Sequence, residues 1–225
     1  MRLLVEHDTS YHFETPRQRV VQSHRLTPVD SDSQRILDWS VTVEGASFGA
    51  AFVDGAGNRV ITMTLPGPVE TMTVTVRGLV ETTDTSGILR GMREQMTPLA
   101  YLRETWATAP GVGLMELAEA LEEDGCTLAA AHEMARLVAE RIKYTPGATE
   151  HDNTAAEVVE LGAGVCQDQA QVLIALARIK GMPARYVTGY MLSGGEDEAE
   201  DRTEASHAWA ELYVQDLGWV GFDAA

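Results

Sequence analysis

Residues 162–180 read "GAGVCQDQAQVLIALARIK". After the glycines, apolar residues follow on almost every side of a helical wheel: Val165, Ala170, Val172, Leu173, Ile174, Ala175, Leu176, Ala177 and Ile179. A helix apolar nearly all round belongs in the centre of a fold. Gly181 supplies its stop and Pro183 prevents its continuation. The stretch therefore predicts a central buried helix with Cys166 in its first turn. There the unpaired backbone N–H groups and the helix dipole favour an anion, which lowers a thiol pKa. The same N–H groups can face a tetrahedral oxyanion once a thiolate attacks. Two readings stay open at this point: a nucleophile, or a small core residue that happens to be a thiol.

Downstream, "ARYVTGYML" (184–192), "SHAWAELYV" (206–214) and "WVGFD" (219–223) read as strands, and the acidic, Gly-rich 193–205 as a solvated loop. Upstream, "GLMELAEALEED" and "TLAAAHEMARLVAERIKY" repeat apolar residues at three and four, as helices do. Thr127 is an N-cap candidate for the second, and Cys126, in the turn before it, reads as structural. "NTAAEVVELGAG" predicts a short helix starting near Asn153 or Thr154. Residues 1–85 read as β: "LLVEHDTSYHF", "RVVQSHRLTPV", "RILDWSVTVEG", "AAFVDGAGNRVITMTL" and "ETMTVTVRGLVETT" are rich in Val, Thr, Ile and aromatics. "DGAGN" (54–58) is a hairpin turn between two such runs, and the series of strands suggests a sandwich. The fold expected is α+β: an antiparallel β-sandwich over 1–85, a connector over 86–96, and a core with a central helix on an antiparallel sheet over 97–225.

Composition excludes several classes. The 225 residues suffice for one large or two small domains, and 44% are hydrophobic. A net charge of −17 with no Lys/Arg cluster argues against nucleic acid and against an anionic membrane surface. Two cysteines, Cys126 and Cys166, make no disulfide scaffold. With no signal-like N-terminus and no long apolar run, the expectation is a soluble, cytoplasmic protein. His7, His12 and His24 lie in strand-like runs and read as satisfied or surface histidines.

The site candidates besides Cys166 are His207 and Asp223. Period-2 alternation puts His207, Trp209, Glu211 and Tyr213 on one face of their strand. A three-residue loop, 215–217, would pair Val214 with Gly218 and bring Asp223 opposite Trp209, diagonal to His207. A two-residue loop would reverse the parity and separate them. In the resulting chemistry Cys166 is the nucleophile, His207 takes its proton and Asp223 orients the ring. Tyr144, Tyr186, Tyr190 and Trp209 are candidates to line the cleft.

The motifs "GVCQDQA", "MPARYVTGYM", "SHAWAELYV" and "GWVGFD", in that order, resemble the bacterial transglutaminase-like family, and stretches within residues 2–60 are similar to the β region that precedes its core. The resemblance implies a papain-like core with a triad of Cys166, His207 and Asp223 and acyl transfer through a thioester. It implies no metal or organic cofactor. Water as acceptor gives an amidase or peptidase acting on peptide-like amides; the alternatives are a protein-glutamine amine transferase that cross-links, and a non-catalytic binding module with a degraded site. The expected partner is a peptide or protein substrate, with the β region a scaffold, a substrate platform or a homodimer surface. Gln169 and Gln171 stand where the family usually has an aromatic residue and a histidine, and Ala224 and Ala225 stand where it has Pro-Thr.

Overall fold

The computed structural model describes residues 1–92, 94–123, 125–192 and 206–225. The acidic stretch 193–205 lies outside them. The chain divides into two compact units, 1–85 with 90–96, and 86–89 with 97–225.

The first unit is one antiparallel sheet of four strands: β1 (Arg2–Thr27), β2 (Gln34–Val43), β3 (Ser47–Val53) and β4 (Arg59–Thr82). β1 pairs with β4 along its length, while β2 and β3 share the other edge of β4. The five strand-like runs therefore become four strands, because the breaks read around Glu14–Pro16 and Pro66–Pro68 are register shifts within two long strands. Val20, Met63 and Leu65 from one half of this sheet share a core with Val43, Met72 and Val74 from the other. Two halves of one continuous sheet thus share a single core. The "DGAGN" turn closes as a local network, with Asp54 Oδ1 accepting from Ala56 N (3.1 Å) and Asn58 N (2.9 Å). His24 is buried, with Nε2 on Gln22 Oε1 at 2.9 Å.

The second unit begins with two short 3-10 turns (Pro98–Leu102 and Trp106–Thr108). Then come α1 (Val112–Glu119), α2 (Leu128–Arg141), β5 (Lys143–Tyr144), α3 (Ala155–Leu161), β6 (Ala163–Gly164), α4 (Cys166–Ile179), β7 (Ala184–Tyr190), β8 (Ser206–Val214) and β9 (Gly218–Phe222). The α+β class follows from these elements. Thr127 caps α2 by accepting from Ala130 N at 3.1 Å. α4 is central, as its all-round apolar surface requires: Val172, Leu173, Ile174, Ala175, Leu176 and Ala177 are all buried. Their core extends over the inner face of the antiparallel sheet β7-β8-β9 through Ala210, Leu212, Val220 and Phe222. The segment 86–89 is more than a connector. Ile88 bridges to Val220, Leu89 N donates to Trp219 O (2.9 Å) and Gly221 N donates to Gly87 O (2.9 Å), so it lines the outer edge of β9.

Candidate active site

Cys166 is placed by the turn between α3 and α4. Thr154 and Glu157 form a capping box that starts α3. Gly162, left-handed at φ 68°, ends it. The chain then pairs in parallel with β5 through Ala163 and Gly164 before Val165 caps α4. Asp168, the third helical residue, reaches back so that its Oδ2 accepts the Val165 N–H at 2.8 Å. This is half of a capping box, since valine has no side-chain oxygen to complete it. Cys166 is 5% exposed, and its Sγ donates to Gln167 Oε1 at 3.2 Å. The first backbone bond of the helix runs from Gln169 N to Val165 O, so the N–H groups of residues 166–168 precede the helical ladder.

His207 and Asp223 are placed by the β8–β9 hairpin. Its loop is 215–217, Val214 pairs with Gly218, and Asp216 and Gly218 take the positive φ values that close it. Ala210 pairs with Phe222, so the next step brings Asp223 level with Trp209 and onto the face of His207. His207 Nε2 lies 2.6 Å from Asp223 Oδ2, and the remaining carboxylate oxygen accepts Ala225 N at 3.1 Å. Gly189, opposite His207, leaves room for Trp209, whose ring stacks beside the imidazole at 6.3 Å between centroids.

Chain direction puts the two parts of the site at one end of the unit. α4 ends beside the start of β7, where Arg178 Nη2 donates to Ala184 O at 2.9 Å. β7 runs back along the helix, and β8 returns antiparallel to it with Leu212 opposite Ala184. α4 and β8 therefore start at the same end. Fourteen helical residues rise about 20 Å, and the five strand steps from Leu212 to His207 rise about 17 Å, so Cys166 and His207 come to similar heights. Among the described residues Cys166 makes no hydrogen bond to His207. Catalytic contacts are often long without substrate. Tyr186, opposite Ala210 on the helix-facing side, has its phenol pushed up by burial and then by the charges of Cys166 and Asp168. Burial alone pushes up Tyr190.

The other sequence candidates fall as follows. Tyr186 and Tyr190 are partly exposed and Tyr144 is more so. Cys126 packs against the core, with Sγ 3.6 Å from Gly181 O. Among the described residues, no three His, Cys, Asp or Glu side chains gather as a metal-binding group would. Asp168 and its second donor, Thr149 Oγ1 at 2.6 Å, are not among the sequence candidates. An acidic residue three positions after the helix cap was the available signal.

A thiol at the head of a buried helix and a His–Asp pair at the same end of an antiparallel sheet define a papain-like cysteine-enzyme arrangement. The chain belongs to the transglutaminase-like superfamily: residues 116–224 match the model of that superfamily, and residues 3–81 match that of the bacterial transglutaminase-like N-terminal region. An uncharacterised protein of Mycobacterium tuberculosis is 30% identical over 99% of this chain and 78% of its own length. One from Mycobacterium leprae is 27% identical over 99% and 82%. The crystal structure of a "Putative Cysteine Protease" from Cytophaga hutchinsonii shares the fold, with a TM-score of 0.75 at 20% identity over 100% of this chain and 78% of that one. No helix among the described residues is long and apolar enough to cross a membrane.

Proposed function

We propose that the protein is a cysteine-dependent acyl-transfer enzyme that hydrolyses peptide-like amides with a triad of Cys166, His207 and Asp223. The observation that carries this reading is the 2.6 Å contact between His207 Nε2 and Asp223 Oδ2, at the end of the sheet where α4 begins. With Nε2–H donating to the carboxylate, Nδ1 is the nitrogen left to take the thiol proton. The Cys166 side chain turns from Gln167 toward that nitrogen and becomes a thiolate.

Attack of the thiolate on an amide carbonyl forms a C–S bond and a tetrahedral oxyanion facing the first-turn N–H groups of α4. Collapse breaks the C–N bond. The proton held on His207 goes to the leaving amine, and a thioester remains. His207 then takes a proton from water, whose oxygen displaces the sulfur and releases the acid. An amine in place of water would give an isopeptide. We favour water because the His–Asp pair reaches solvent, with the Asp223 side chain 38% exposed. A reducing compartment, the cytoplasm, fits two thiols that are outside any disulfide.

The test is incubation with a glutamine-containing peptide library, with and without an excess of primary amine, followed by mass spectrometry. Expected are hydrolysis products that depend on Cys166 and persist when amine is present. Products carrying the amine would establish transfer instead. No turnover by the wild-type protein would favour a binding module.

A further inference from the structure

Asp168 is a buried carboxylate two residues from the thiol, and the triad does not use it. It is 8% exposed, and both of its donors converge on one oxygen: Val165 N at 2.8 Å and Thr149 Oγ1 at 2.6 Å. The first donor belongs to the peptide immediately before Cys166. The second belongs to the segment 145–151, which is tied at its start by Thr145 N to Gly164 O (2.7 Å) and near its end by Glu150 N to Asn153 Oδ1 (2.7 Å). Thr149 is the point between these ties that reaches the helix. The neighbouring backbone makes room for the junction, because a Cβ on Gly164 would sit 2.7 Å from Asp168 Oδ2.

We propose that Asp168 is a positioning residue that latches the Thr149 segment to the Val165–Cys166 turn, so that the segment forms a fixed wall of the acyl-binding site. This rests on Cys166 being the nucleophile. A carboxylate that only capped the helix would need Val165 N alone. The hydroxyl from 19 residues upstream makes the oxygen a junction between two backbone segments. Such a junction sets where the sulfur and the first-turn N–H groups lie relative to the bound substrate.

The experiment compares peptide hydrolysis, alkylation of Cys166 by a small haloacetamide, and thermal melting for the wild type, Asp168→Ala, Asp168→Asn, Thr149→Val and Cys166→Ala. Asparagine places an oxygen where Oδ2 was, keeping both acceptor roles without the charge. The expected result is a fall in kcat of about 10²-fold in Asp168→Ala, the size that a misplaced reacting group produces, with recovery toward wild type in Asp168→Asn. Thr149→Val, which needs no buried polar group, is expected to raise KM for peptides and leave haloacetamide alkylation unchanged. The inference is overturned if Asp168→Ala turns over peptide as the wild type does with only a lower melting temperature, if Asp168→Asn is as slow as Asp168→Ala, or if Thr149→Val has the wild-type KM. A wild type with no Cys166-dependent turnover or labelling would overturn the nucleophile reading itself, and this inference with it.

Discussion

At the residue scale, the proposed reaction depends on one short contact. His207 Nε2 and Asp223 Oδ2 are 2.6 Å apart, and the imidazole side is 13% exposed. If Asp223 fixes the ring so that Nδ1 serves the thiol, Asp223→Asn favours the wrong tautomer, and kcat should fall by as much as about 10⁴-fold. Steady-state kinetics would check this; an unchanged kcat would make the pair structural. The pair was legible in the sequence because β alternation and loop length together fix parity. Val214 and Gly218 flank a loop of odd length, and Asp223 follows onto the right face. The Asp168–Thr149 contact was not legible. Its two residues are brought together by the β5–β6 pairing, which rests on only two residues in each strand, Lys143–Tyr144 and Ala163–Gly164. Runs so short leave no periodicity to read.

At the element scale, the strand that carries His207 is held in shape by its neighbours. Gly189 faces His207 across β7–β8, and a Cβ there would come 2.6 Å from Trp209 Cη2. Gly189→Ala should push the indole away from the imidazole, lowering kcat and shifting Trp fluorescence, with little change in melting temperature. Removing a helix cap should have the opposite signature: Thr154→Ala should cost about 1 kcal/mol of stability, read by denaturant titration, with kcat unchanged. The helices were legible from their 3.6-residue pattern and caps, α4 most clearly. The N-terminal strands were legible only as runs. Irregular pairing between His12 and Arg19 looks like a loop in the sequence, yet the backbone stays extended through it, so β1 and β4 are longer than any run suggested.

At the scale of the whole molecule, each unit contains a buried polar feature with a measurable consequence. In the second unit, Arg185 and Glu211 are paired at 2.6 Å with side chains 9% and 4% exposed, and the guanidinium lies 4.2 Å from the centre of the Trp219 ring. Glu211→Ala leaves that cation buried without its carboxylate and should destabilise the unit by about 3–5 kcal/mol, read by chemical denaturation. In the first unit, burial holds the His24 imidazole below its ordinary pKa, which is about 6.5. The folded form binds its proton less readily than the unfolded form does. Stability is therefore fully present above about pH 6.5 and is lost as pH falls from there through the lower folded value. Melting curves from pH 7.5 to 5 should show this loss, and His24→Leu should flatten it.

Whether Cys166 is an activated nucleophile is read by intact-mass and peptide mapping after treatment with a limiting thiol-alkylating reagent at pH 6. Exposure alone favours Cys126, which is partly exposed, over Cys166, which is buried. Activation by the helix terminus and His207 favours Cys166. Cys166 should be labelled first, and His207→Ala should remove this advantage. Slow, equal labelling of both thiols, or labelling of Cys126 first, would contradict it.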